Sequence, residues 1–288
     1  MDFPNYFADA ESSFKQATFV LFGVPFEKTS SFRHGADKAP YEVRQASWNF
    51  ERYDLRTGTN FEEMLVHDYG DLDVKTLTAK EVFDTTKTFT STLLAQQKIP
   101  IAVGGDHSIT PGIISAFPKD IAVVSLDAHM DFRQEYKNDI YNHACVIRRV
   151  ADHVPVKNIA VLGIRSAEKE EYDNAQKQGL FFRDAFSINT LGMKKIIQQT
   201  CMLLKGKKIF LTIDIDVVDP AYAPGTSTPE PFGLTPLQVI EIIEALSPQL
   251  IGCDLVEVCP PYDHGQTAVL AAKIIQTSIR CIWRAQQA

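Results

Sequence analysis

Three ligand-type side chains, Asp127, His129 and Asp131, stand at alternate positions in VVSLDAHMDF (residues 123–132), directly after an apolar run. An extended backbone sends every second side chain to one face, so the three are expected to converge. IFLTIDIDVVD (209–219) repeats the pattern with Asp214 and Asp216, IPIAVGGDHS (99–108) ends on His107 after two glycines, and IGCDLVEVCPP (251–261) delivers Glu257. Four apolar runs therefore end in acid or imidazole.

Collecting Asp127, Asp131, Asp214 and Asp216 with His107 and His129 in a partly buried pocket is unfavourable unless their charge is compensated, because desolvation and repulsion would otherwise drive protonation. Two divalent cations cancel four negative charges, and one bridging hydroxide leaves a residual suited to a cationic substrate. Carboxylates favour hard ions and imidazoles favour transition metals. Manganese meets both tendencies better than zinc or calcium. Two such ions about 3.5–4 Å apart hold a water between them and acidify it enough to supply hydroxide near neutral pH.

These residues need elements to position them. Short β-branched or aromatic runs at 17–23, 64–68, 99–103, 121–126, 159–163, 209–213 and 250–258 read as strands, and 78–97, 166–178, 192–204, 235–246 and 267–284 carry helical periodicity. Thr235 reads as an N-cap with Pro236 at the first helical position. Alternating strands and helices predict an α/β fold with a parallel sheet covered on both faces, and no linker or repeat divides the chain, so a single domain over residues 1–288 is expected. Ligands of open parallel sheets bind beyond the carboxyl ends of the strands, which is where the polar residues lie. The loop DPAYAPGTSTPEPFG reads as ordered and site-building, with Asp219 and Pro220 shaping its turn.

The formal net charge of -7, with no Lys/Arg run, offers no attraction for a nucleic-acid backbone or an anionic membrane. No window reaches the roughly 18 apolar residues of a membrane span, and the N-terminus lacks a secretory pattern, so a cytoplasmic protein is expected. Cys145, Cys201, Cys253, Cys259 and Cys281 are odd in number without a CxxC pair and read as buried reduced thiols. His34, His67, His153 and His264 are expected on the surface or in structural roles. Asp106 reads as an acceptor that orients a neighbour, and Asp254 is open between the two uses.

The stretches GVPFEKTSSFRHGADKAPYEVR, GGDHS, SLDAHMDFR, YNHACVIRR, TIDIDVVDPAYAPGTSTPEP and VEVCPPYD, in this order from about residue 20 onward, resemble the ureohydrolases, the arginase and agmatinase family, and are most similar to its agmatinase branch. The resemblance implies a three-layer α/β/α fold with an eight-stranded, mostly parallel sheet, and two Mn2+ ions per chain. It implies that His107 and Asp131 bind one ion, that His129 and Asp216 bind the other, and that Asp127 and Asp214 bridge them. Glu257 would hold the guanidinium and His143 would carry a proton to the leaving amine, so His143, Glu257 and Asp131 are the expected catalytic residues. The implied assembly is a homo-oligomer, a trimer or hexamer.

The implied reaction is hydrolysis of a small cationic guanidino substrate to an amine and urea. Arginases typically carry an asparagine two residues after the DAHxD aspartate to read the α-carboxylate, whereas this chain has Asp131, Phe132, Arg133. Agmatine, giving putrescine, is therefore expected. Arg133 at the mouth would instead welcome an acid such as guanidinobutyrate unless Glu135 and Asp139 neutralise it. Ser227 and Phe232 stand where family members often have glycine. Alternatives are a guanidinobutyrase, arginase or formimino hydrolase with the same centre, or an inactive metal-binding member.

Overall fold

The computed structural model describes residues 3–287. Runs of Val, Ile, Leu and Phe form the strands β1 (Phe19–Val24), β4 (Val66–Asp71), β5 (Ile99–Gly104), β6 (Ala122–Leu126), β7 (Ile159–Ile164), β8 (Phe181–Asp184), β9 (Ile209–Asp214) and β10 (Leu250–Val256), while β2 (Tyr53–Asp54) and β3 (Thr59–Asn60) make a separate ribbon. The eight form one sheet in the order β4-β1-β5-β10-β9-β6-β7-β8, and every neighbouring pair is parallel. The chain leaves β5, skips outward to β6, and only later fills the gap with β9 and β10. The four strands that end in ligand-type residues, β5, β10, β9 and β6, are thus consecutive neighbours at the centre of the sheet.

The helices are α1 (Ala39–Ser47), α2 (Ala79–Ala95), α3 (Thr110–Ile114), α4 (Val146–Val150), α5 (Lys169–Lys177), α6 (Ala185–Leu191), α7 (Met193–Leu203), α8 (Pro236–Leu246) and α9 (Gln266–Gln287). Strand alternation sorts the core into two layers. On one face Phe19, Leu21, Ile101 and Leu211 pack with Val43 of α1, Ile196 of α7, Ile243 of α8 and Ile275 of α9. On the other Val20, Phe22, Ala102 and Phe210 pack with Val82 of α2, Ile113 of α3, Ile147 of α4 and Ala175 of α5. Both faces are covered, which is why the strands read as continuous apolar runs.

Helix starts follow local chemistry. Thr78 opens α2 and Thr235 opens α8, each with a reciprocal capping box to Glu81 or Gln238 and, in α8, Pro236 in the first turn. The strand expected at 64–68 begins instead at Val66, because Met64 ends a tight turn and Leu65 is left-handed at φ 52. β8 escapes periodicity because it is four half-buried residues at the sheet edge. The helix expected over 166–178 starts at Lys169, where the Glu168 side chain caps it. Every cysteine is free, but Cys201 and Cys281 are only partly buried where all five were expected inside.

The turn after β5 is fixed by backbone. Gly105 donates to the Val24 carbonyl at 2.9 Å, Asp106 donates to that of Phe26 at 2.8 Å, and the Gly105 carbonyl accepts from Glu257 at 2.8 Å. A Cβ at Gly105 would overlap the Phe26 carbonyl, which cannot swing aside as a side chain could. Gly105→Ala is expected to lose about 1–3 kcal/mol through overpacking, measured by urea unfolding. Wild-type stability would show that this turn does not hold the β1 and β10 ends together.

Candidate active site

The polar side chains converge, but not by the straight extension expected. β6 stops at Leu126, and Asp131 adopts a left-handed φ of 49. β9 stops at Asp214, and Asp216 lies in the tight turn Ile215–Val217, where the Asp214 side chain accepts from the Asp216 N–H at 2.9 Å. Glu257 follows β10 with φ 65, and His107 opens the turn His107–Ile109 after β5. Turns at four adjacent strand ends, rather than a common strand face, aim these groups at one point.

His107 Nδ1 lies 3.2 Å from Asp127 Oδ2, 3.3 Å from Asp214 Oδ2 and 3.5 Å from Asp131 Oδ2. His129 Nδ1 lies 2.9 Å from Asp216 Oδ2 and 3.8 Å from Asp127 Oδ1. The ligand atoms of His107, Asp127 and Asp214 fall within 4.8 Å of one another, as do those of Asp127, His129 and Asp216. Asp127 belongs to both groups. Asp214 faces only His107, its other oxygen being held by the Asp216 N–H.

A shared device sets the carboxylates. One oxygen in three of the four accepts a backbone N–H: Asp127 from His129 at 2.6 Å, Asp214 from Asp216 at 2.9 Å, and Asp216 from Ala128 at 3.0 Å. The other oxygen points inward, toward an imidazole. Asp127 Oδ2 and His107 Nδ1 are buried without a hydrogen-bond partner, and among the described residues no Lys or Arg forms an ion pair with Asp127, Asp131, Asp214 or Asp216. Burial, then Asp216 and Asp127, push the Asp214 carboxyl well above its ordinary range, and burial and Asp127 push Asp131 to about 7. Burial works to lower His107, but Asp127, Asp131 and Asp214 overcome it and hold it well above the usual imidazole value. Orphaned ligand-type atoms aimed at one another across a repelling acidic cluster fit divalent cations: the set is hard oxygen plus imidazole nitrogen, from which a cation would displace the proton that the carboxylates otherwise hold there.

The imidazole of His107 is oriented from behind. Its Nε2 lies 2.9 Å from Thr212 Oγ1. Thr212 is the register partner of the buried Asp254 on β10, and Asp254 accepts from Thr110 at 2.9 Å. Thr212 carries no motif of its own, and only its place two residues before Asp214 could have pointed to it.

A cavity of about 250 Å³ opens above the cluster, lined by His129, Asp131, Asp214, Glu257, His143 and, toward solvent, Arg133. Glu257 Oε1 accepts the His107 N–H at 2.7 Å, and burial followed by Asp106 raises its carboxyl to about 8. His143 begins the turn His143–Cys145 before α4, and burial pushes it down to about 4, so it is neutral at neutral pH. Arg133 pairs with Glu171 at 3.6 Å and Glu168 at 3.7 Å, so these and not Glu135 or Asp139 are the carboxylates that meet it, and it lies 4.8 Å from the Tyr136 ring centre. Asp219 shapes its turn, accepting from Ala221 and Gly233 at 2.9 Å each. His34, His67 and His153 bond Glu27, the Ser12 carbonyl and the Phe117 carbonyl, away from the cluster.

Arg165 was not singled out by sequence. Its guanidinium donates to the carbonyls of Asp216 at 2.6 Å and Glu230 at 2.7 Å, tying the long loop to the acidic cluster. In that loop Phe232 holds a left-handed φ of 68 and is exposed, while Ser227 is buried.

The arginase-family sequence model matches residues 17–280. The crystal structure of agmatine ureohydrolase of Thermoplasma volcanium superimposes with a TM-score of 0.94 at 38% identity, covering 99% of this chain and 96% of that one. Agmatinase of Bacillus cereus is 33% identical over 94% of this chain and 93% of its own length. N(1)-aminopropylagmatine ureohydrolase of Thermococcus kodakarensis is 36% identical over 92% and 91%. Among the described residues no helix is long and apolar enough to cross a membrane.

If Thr212 orients His107, Thr212→Val should weaken binding of the first divalent ion about 10–100-fold while Thr212→Ser stays near wild type, as read by calorimetric titration with Mn2+. Equal affinity in the valine variant would remove Thr212 from that role.

Proposed function

The chain belongs to the arginase family, and from that premise we propose that it is a binuclear manganese hydrolase that cleaves agmatine to putrescine and urea. In this reading His107 and Asp131 would hold one ion and His129 and Asp216 the other; Asp127 would serve both, while Asp214, expected to bridge, would stand with His107, the imidazole it faces. The observation that carries it is the pair of ligand groups meeting at Asp127, beneath a cavity walled by Glu257 and His143. Two divalent ions, when bound, neutralise the carboxylates and acidify water so that hydroxide is available near neutral pH.

The chain's own residues do the rest. Glu257 would be ionised by a bound guanidinium, whose charge offsets the burial that raises its carboxyl, and the carboxylate so formed is that cation's matched bidentate partner, kept in place by the His107 N–H. His143 is neutral and faces the cavity, so its lone pair can take a proton and return it to the nitrogen that leaves. The floor thus selects the guanidinium and the mouth selects the tail.

At the mouth two carboxylates, Glu168 and Glu171, face the single guanidinium of Arg133. The surplus negative charge favours an ammonium tail over the carboxylate of guanidinobutyrate or arginine. Past Arg133 a further compartment of about 370 Å³ adds Glu135 and Glu170. That compartment favours a second reading: a longer polycation such as N1-aminopropylagmatine, the compound in the name of the Thermococcus relative. Five free cysteines suit a cytoplasmic setting, and a trimer or hexamer completes the reading, tested by light scattering on the purified chain.

Urea release should be measured with manganese-loaded protein on agmatine, N1-aminopropylagmatine, 4-guanidinobutyrate and arginine. We expect kcat/KM for agmatine to exceed that for guanidinobutyrate by at least about tenfold, since a carboxylate against like charge costs more than 1.4 kcal/mol. His143→Asn should lower kcat about 10²- to 10⁴-fold. Preference for the acid would overturn the substrate assignment, and agmatine binding without urea release would favour an inactive member of the family.

A further inference from the structure

The loop after β1 and the turn after β5 meet through hydrogen bonds whose polarity is forced. Asp106 is fully buried and accepts four donors: the Thr29 N–H at 3.0 Å, the Thr29 hydroxyl at 2.9 Å, the Ser108 N–H at 3.1 Å, and the Ser108 hydroxyl. Four donors fill the four acceptor sites of a carboxylate. The hydroxyl of Thr29 has one proton and spends it on Asp106, so toward any other neighbour its oxygen can only accept.

That other neighbour is His143. Its backbone N–H donates to Thr29 Oγ1 at 3.0 Å, and its Nδ1 lies 3.2 Å from the same oxygen. An Nδ1 lone pair would face oxygen lone pairs at that distance, whereas an Nδ1–H completes the bond. Nε2 is then left with the lone pair, 3.5 Å from Ser31 Oγ on the cavity wall. The edge of Tyr136, with ring centroids 6.1 Å apart, confines the ring further.

We propose that Asp106, acting through Thr29, is a positioning residue that fixes His143 as its Nδ1–H tautomer and thereby assigns proton exchange to Nε2. Over a turnover Nε2 takes up one proton shed by the attacking water and passes one to the nitrogen that leaves. The C–O bond forms, the C–N bond breaks, and the imidazole ends as it began. The inference rests on the reading of His143 as the proton carrier. Neither Asp106 nor Thr29 touches substrate in this scheme.

Nitrogen-15 spectra of histidine-labelled protein loaded with diamagnetic zinc read the tautomer directly. Wild type should show a protonated Nδ1 and a bare Nε2 on His143. In Asp106→Ala the Thr29 hydroxyl loses its acceptor and is free to donate to His143, so the proton should move, wholly or in part, to Nε2. Thr29→Val, which does not adjoin His107, should lose the Nδ1–H signature and about 10²- to 10⁴-fold in kcat with unchanged metal content, and Thr29→Ser should restore both. A bare Nδ1 in wild type, or a valine variant with the wild-type tautomer and turnover, overturns the inference. Absence of urea release by wild type, or full activity in His143→Asn, sinks the reading of His143 as proton carrier, while the spectra still decide which nitrogen Asp106 and Thr29 protonate.

Discussion

Four buried carboxylates at the ends of two neighbouring strands set the terms for the rest of the molecule. Each ordinary solution to buried charge is missing: no lysine or arginine pairs with them among the described residues, and backbone N–H groups satisfy only one oxygen of Asp127, Asp214 and Asp216. The inward oxygens find imidazoles, with one added hydroxyl from Thr228 on Asp216 at 3.4 Å, and the Nδ1 of His107 stays unbonded. Left-handed backbone at Asp131 and Glu257 adds strain on the order of 1–3 kcal/mol each. A folded chain keeps such a site when a cation that binds only the folded form returns more than the site costs.

Much of this was legible because chemistry and topology leave the same mark. Apolar runs that end in Asp, His or Glu signal strand ends at a binding edge, and the positions of His107, Asp127, Asp214 and Glu257 could be aligned to that edge from sequence. Their adjacency could not, because β9 and β10 enter the sheet between β5 and β6 only after two further strands and four helices, an order no local pattern encodes. The spacing of two predicts a straight strand, yet turns at Asp131 and Asp216 do the aiming, since a side chain that must reach inward from a strand end needs a change in backbone direction. Thr29 and Thr212 stayed invisible for another reason: a single hydroxyl acts through the partner it meets in space, and neither partner is near in sequence.

Floor and mouth are built differently. The floor hangs from the parallel sheet, where register between β9 and β10 sets Asp254 beside Thr212 and backbone bonds link Gly105 to both Val24 and Glu257. The mouth is made of loops held by buried or half-buried charge: Arg165 grips the carbonyls of Asp216 and Glu230, and Glu171 pins Arg133 while accepting the Phe132 N–H at 2.6 Å. A rigid floor preserves the handling of the guanidinium, and a loop-built mouth can change tail preference without disturbing it. The exposed, left-handed Phe232 belongs to that adjustable part.

Asp127 belongs to both ligand groups, so two cations bound as proposed would share it. An anomalous-scattering map from manganese-soaked crystals reads this without reference to turnover. Two peaks are expected, one within coordination distance of His107 and one of His129, both in contact with Asp127. A map with no peak at the cluster, or with a single ion that leaves His129 unbound, would contradict that sharing.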